Sequence, residues 1–192
     1  MKYFEVDIDW NASLDSPWDA VWPKDDDSNI DCLDGSLPLL YIWNQPPVTI
    51  ERRDQTPDIF GFVLHWAVTE HVKAALEPLV GIEAEFLPLS CADAALFVVH
   101  PLWPIDFDDD ADLHRNSVSN NVTVVKKYSF SINPDEFNGP RHLFRMLQPE
   151  RSSARKGGYT LKRLIMSEKC VEILEEIHVK GVRFRHIHTV ET

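Results

Sequence analysis

VTEHVKAALEPLVGIEAEFLPL, residues 68–89, is the stretch on which the fold turns, because it returns in altered form as MSEKCVEILEEIHVKGVRFRHI, residues 166–187. Laid over each other at a constant offset of 98 without a gap, Thr69 meets Ser167, Glu70 meets Glu168, Leu76 meets Leu174, Leu79 meets Ile177 and Phe86 meets Phe184. Each copy opens on a hydroxyl residue suited to cap a helix, followed by an acid where the positive end of the helix dipole favours one. Apolar side chains then recur at i, i+3, i+4 and i+7: Val72, Ala75, Leu76 and Leu79, and in the second copy Cys170, Ile173, Leu174 and Ile177. That period gives one buried helix face. A glycine (Gly81 or Gly181) and a strand-like run ending at Leu89 or Ile187 close each copy. The spacing predicts a helix–turn–strand unit used twice. Pro78 interrupts the first copy; lacking an N–H and crowding the carbonyl four residues back, it should end that helix at about Glu77.

Outward from the repeat, residues 3–8 alternate like a strand, and 94–100, AALFVVH, read as a central strand because they are apolar almost throughout. Residues 37–43 and 48–52 suggest short strands separated by Pro46-Pro47, and 122–132 suggest another, followed by a turn or short helix at 134–139. Residues 142–147, HLFRML, are a short apolar piece. The segment 11–38 differs from the rest: Trp18 and Trp22 stand among Asp15, Asp19, Asp25, Asp26, Asp27, Asp31 and Asp34, punctuated by proline and glycine. It reads as an ordered but irregular surface segment pinned by its tryptophans. The expected fold is α+β: a single domain over 1–192 with a mixed or antiparallel sheet and a few short amphipathic helices. Its N-terminal part, 1–50, is rich in tryptophan and aspartate.

The 192 residues are 44% hydrophobic and 26% charged, a globular composition. No apolar run approaches the roughly 18–20 residues of a membrane span, and the alternating N-terminus has no signal-peptide character. Cys32, Cys91 and Cys170 are scattered and odd in number, as expected of reduced core thiols in a cytoplasmic protein; the glycosylation triplets at Asn11 and Asn121 then mean nothing. Thirty-one acids against 19 Lys and Arg give a formal charge of -12. Such a surface is repelled by nucleic acid and anionic membrane and attracts basic partners, although solubility alone can also account for it.

A search for chemistry finds no convincing active site. Asp106, Asp108, Asp110 and Asp112 have the alternate spacing of a calcium loop, but Ala111 and Ser117 stand where that loop needs glycine and a bidentate glutamate. Asp25, Asp27, Asn29 and Asp31 fail in the same way. His186 and His188 share a strand face without a third ligand, and Gly157-Gly158 lacks the lysine and spacing of a phosphate loop. Cys91, near Asp93 and His100, has nothing to distinguish it from a core thiol. Arg145, Arg151, Arg155, Lys156, Lys162 and Arg163 form the one basic stretch, without the interleaved aromatics of a nucleic-acid platform.

Four pieces resemble the DUF1629, or Imm11-type, family of immunity proteins. They are PDIFGFVLHWAVTEHVKAAL at 57–76, ALFVVHPLWPIDFDDD at 95–110, HLFRML with Phe144 and Arg145, and RLIMSEKCVEILEE at 163–176, the closest match. The resemblance covers 58–187, a family-like core; Thr69 in place of serine and the late Pro78 depart from the pattern, and 1–50 match least. The resemblance implies a cytoplasmic bacterial protein that binds and neutralises a protein toxin, with no catalytic residue to carry over and no cofactor. A basic toxin fits the charge. The expected toxin-facing residues are Trp18, Trp22, Asp25, Asp26, Asp27, Asp31, Trp103, Asp106, Asp108, Asp109, Asp110 and Asp112, with aromatic anchors among carboxylates. Two alternatives stay open. One is a metal-assisted enzyme using 106–114 with His100, and the other an acidic adaptor for another basic protein. Neither the oligomeric state nor the toxin's activity follows from the sequence.

Overall fold

The computed structural model describes residues 2–8, 20–21, 33, 37–50, 57–62, 65–106, 141–149 and 159–187, with backbone alone for 8, 20–21, 104–106, 146–149, 159–163 and 187. In chain order the elements are β1 (Tyr3–Ile8), β2 (Ala20–Val21), β3 (Pro47–Ile50), β4 (Ile59–Phe62), β5 (His65–Thr69), α1 (Glu70–Val80) and β6 (Ala84–Cys91). Then follow β7 (Leu96–Pro101), β8 (Pro104–Asp106), β9 (Leu143–Pro149), β10 (Tyr159–Ser167), α2 (Glu168–Glu176) and β11 (Val182–Ile187). The class is α+β and mostly sheet. Where one sheet was expected there are two, ordered β11-β1-β10-β9-β8 and β2-β3-β6-β7-β5-β4.

The repeat holds at its offset: α1 and α2 start at Glu70 and Glu168, and β6 and β11 at Ala84 and Val182. It also extends further than the sequence suggested. In each copy a hairpin leads into the helix, with Ile59 opposite Val68 and Leu143 opposite Met166. An antiparallel strand then fills the gap between the strands flanking the helix. In the first copy that strand is β7, with Val99 opposite Phe86; in the second it is β1, with Val6 opposite Phe184. The N-terminal strand thus completes the C-terminal copy, a permutation no constant offset can reveal.

One core serves both copies. Val68, Val72, Leu76, Val80, Phe86 and Val99 pack with Val6, Leu143, Leu164, Met166, Cys170 and Leu174, and the helices touch each other. Each fully buried leucine or valine here stabilises the fold by about 1.5–3 kcal/mol. The copies also hold each other by exchanged ties. Asp58 ahead of β4 bonds Lys180 after α2, through N–H to carbonyl at 3.0 Å and through its carboxylate to the Lys180 N–H at 2.8 Å. Reciprocally, the buried Glu83 carboxylate after α1 accepts from the N–H groups of His142 and Leu143 at 2.7 and 2.8 Å. A second core lies on the other face of the six-stranded sheet, where Leu33 and Leu39 pack with Val48, Phe60, Phe62, Ala67, Leu87 and Val98 of its strands.

Two local expectations are corrected. Helix α1 runs through Pro78 to Val80. Pro78 and Ala74, whose carbonyl loses its partner, both lie on the exposed side, where solvent can reach that carbonyl, while Val80 gains burial. Residues 37–43 are a turn rather than a strand. The expected elements at 122–132 and 134–139, Cys32, and the glycosylation triplets at Asn11 and Asn121 lie outside the described residues.

Candidate interaction surface

The 37–43 turn shows how a strand-like composition is diverted. Leu39 turns inward, 3% exposed, while Leu37, Leu40, Tyr41 and Ile42 turn outward, Tyr41 at 95%. The N–H groups a strand would give to a neighbour go elsewhere: those of Leu39 and Leu40 go to the Glu85 carboxylate at 2.6 and 3.2 Å, and that of Ile42 to the Leu39 carbonyl at 2.8 Å. The Trp43 indole donates to the Pro88 carbonyl at 2.7 Å, and His100 Nε2 donates to the Leu37 carbonyl at 3.0 Å. Charged and indole donors and acceptors of this kind make strong bonds, so an apolar loop is held rigidly outward at no cost to the β6 ladder.

Every exposed large apolar side chain among the described residues belongs to the end of the six-stranded sheet where β6 begins and β7 ends: Leu37, Leu40, Tyr41, Ile42, Ile82 and Trp103. Ile82 precedes β6, and Trp103 follows β7, where Leu102 bonds the Glu83 carbonyl. Arg141 stacks over the Trp103 ring, its guanidinium carbon 4.0 Å from the centroid. Single exposed apolar residues are ordinary; a cluster of them is the usual signature of an interaction surface, which makes these six the candidates for one.

Beneath the turn lies a buried polar junction. His65, His100 and Arg145 are 7%, 0% and 3% exposed, and Arg145 Nη1 donates to the Leu33 carbonyl at 2.6 Å. Burial, then the charges of Arg145 and His100, push the His65 imidazole down to about 3. His100 is lowered chiefly by burial, and burial also lowers Arg145. Both imidazoles are therefore neutral at pH 7, and His100 serves as a clamp for the turn.

A second polar group caps α2. Ser167 Oγ accepts from the Cys170 N–H and lies 2.9 Å from His142 Nδ1, while the Cys170 thiol donates to the His142 carbonyl at 3.3 Å. Burial pushes that thiol up to about 12, so it stays protonated. The resemblance to a nucleophile with its base is superficial, since Ser167 is fully buried and spends its oxygen on the helix end. Thr69, its counterpart, makes no side-chain cap; its hydroxyl sits 3.3 Å from His71 Nδ1.

Of the residues expected to face a toxin, the structure places Trp103 on this surface and the Asp106 backbone at the end of β8. Trp18, Trp22, Asp25, Asp26, Asp27, Asp31, Asp108, Asp109, Asp110 and Asp112 lie outside the described residues, as do His114, His188, Arg151, Arg155 and Lys156. His100, offered as a metal ligand for an enzymatic alternative, is engaged with Leu37, and no group of three ligating side chains occurs among the described residues. The sequence reading missed Leu37, Leu40, Tyr41, Ile42 and Ile82. The available signal was an apolar run that fails to alternate, with Pro38 near its start and Pro46-Pro47 after it. Compared with known protein families and with curated proteins, the chain matches none.

Proposed function

We propose that this chain is an immunity-type protein that binds and neutralises a protein toxin, acting by surface complementarity and carrying no catalytic residue of its own. The observation that carries the reading is the apolar turn at 37–42, clamped outward by Glu85, His100 and Trp43 beside exposed Trp103. Rigid aromatic and aliphatic side chains held in place lose little entropy on binding, and such anchors dominate interface energies. The formal charge of -12 supports a basic toxin, approached by electrostatic steering. The motifs resembling the Imm11-type family point the same way, toward a cytoplasmic inhibitor. Among the described residues no helix is long and apolar enough to cross a membrane.

The test is rescue of growth. Co-expression with a toxic product of a neighbouring reading frame should restore growth, and the Leu40→Asp, Tyr41→Asp double variant should lose that rescue while keeping its melting temperature. A double variant that folds and rescues as well as the parent would remove the turn from the interface. Failure of the parent to rescue would remove the immunity reading itself.

A further inference from the structure

The two copies differ most plainly at their outer strands. In the first copy the outer side of β6 is covered: β3 pairs with it, Ser90 donates to the Pro46 carbonyl at 3.0 Å, and the Trp43 indole takes the Pro88 carbonyl. Its counterpart β11 ends the five-stranded sheet, and among the described residues no strand lies beyond it. The bonding parity of β11 follows from its neighbours. Glu168 donates to the Lys2 carbonyl, which assigns the even-numbered residues of β1 to β10 and the odd-numbered ones to β11. Tyr3, Glu5 and Asp7 therefore bond Ile187, Arg185 and Arg183, and the N–H and C=O groups of Val182 and Phe184 point to the open side, on which no other described strand pairs.

Beside that open side is a shallow groove of about 520 Å³ between the end of α2 and β11, lined by Glu175, His178, Val179, Val182, Arg183 and Phe184. Phe184 is only half-buried there, whereas its counterpart Phe86 is 7% exposed. The strand on the occupied side shows what β11 accepts. β1 sets Glu5 opposite Arg185, with a 2.7 Å ion pair, and Asp7 opposite Arg183, while in the register Val6 and Ile8 pair with Phe184 and Val182. The arginine side chains are exposed, and each guanidinium has five donors that can serve carboxylates on both sides. A second copy of the chain is a poor occupant, because antiparallel pairing of β11 with its twin brings arginines and Lys180 against one another.

We propose that the outer side of β11 is a strand-addition site for an extended segment of a protein partner in which carboxylates alternate with apolar residues. Backbone bonds to Val182 and Phe184 supply affinity, the groove takes an apolar side chain, and Arg183 and Arg185 select acids. The site lies on the other sheet from the 37–42 turn and is independent of the immunity reading.

The probe is an N-acetylated, C-amidated peptide copying residues 2–9, with a control carrying Glu5→Lys and Asp7→Lys. With isotope-labelled full-length protein and about 1 mM peptide, amide exchange at Val182 and Phe184 should slow about tenfold. Arg183 and Arg185, already bonded to β1, should be unchanged, and the lysine peptide should have no effect. Val182→Pro should abolish the protection, and Arg183→Ser, which leaves the backbone intact, should weaken acidic-peptide binding about tenfold. No protection at Val182 and Phe184, or equal protection by the lysine peptide, would overturn the proposal. So would concentration-dependent protection of both amides without peptide, which would assign the edge to a second copy.

Discussion

Glu83 is a single side chain holding two copies of a unit together. Its buried carboxylate receives the His142 and Leu143 N–H groups, and nothing else among the described residues stands ready to replace it. Glu83→Ala should therefore cost about 3 kcal/mol, since two buried donors lose their acceptor, and Glu83→Gln less, because one carbonyl oxygen remains. Chemical denaturation would measure both, and equal, negligible losses would show the tie to be dispensable. The histidines add a pH dependence whose sign is fixed by burial. The unfolded chain protonates His65 near 6.5, whereas the folded chain resists until about 3. Stability is thus fully present above about 6.5 and falls as the pH drops through that window, by up to about 1.4 kcal/mol per pH unit. His100, lowered by the same cause, steepens the fall. Thermal melts between pH 7 and 4 should show it, and His65→Gln should flatten the slope. Of these residues only Ser167 was legible in advance, because a helix cap is a local feature; Glu83 and His65 owe their roles to partners scores of residues away.

At the scale of elements, the constant offset of 98 made the duplicated helix and strand legible, because both periods are written in consecutive residues. The hairpins ahead of each helix were not, since the β4–β5 and β9–β10 connections differ in length, and β1 enters the second copy from the far end of the chain. The glycines that close the helices also diverge. Gly81 keeps a right-handed conformation at φ -61, but Gly181 is left-handed at φ +82, and a Cβ there would lie 2.5 Å from Pro57 Cβ in the other copy. Gly181→Ala should therefore destabilise by about 2–3 kcal/mol, combining left-handed strain with the clash. Pro57→Gly should recover the clash but not the strain. A double-mutant cycle separates them: a coupling within about 0.5 kcal/mol of zero would mean the contact relaxes and only the strain matters.

For the whole molecule, a shared core and exchanged ties make the two copies one support, and the proposed binding role falls to what surrounds them. On the toxin-binding reading proposed above, two parts of the chain, the acidic segments and the 37–42 turn, divide the work of binding. On that reading the acidic segments act at a distance, so replacing Asp25, Asp26 and Asp27, or Asp108, Asp109 and Asp110, by asparagine should slow association with a basic toxin and flatten its salt dependence. The 37–42 turn acts only on contact, so Tyr41→Ala or Leu40→Ala should leave the association rate within about twofold and raise the dissociation rate tenfold or more, about 1.4 kcal/mol or above. Binding kinetics at low and high salt resolve the two effects within one experiment. The division follows from geometry: Tyr41 is 95% exposed on a turn already fixed by Glu85 and His100, so its truncation removes contact area without loosening the scaffold. Should the aspartate variants alter only dissociation, the acids would be contact residues and steering would play no part. Should Tyr41→Ala alter neither rate, the apolar end of the six-stranded sheet would face some other partner.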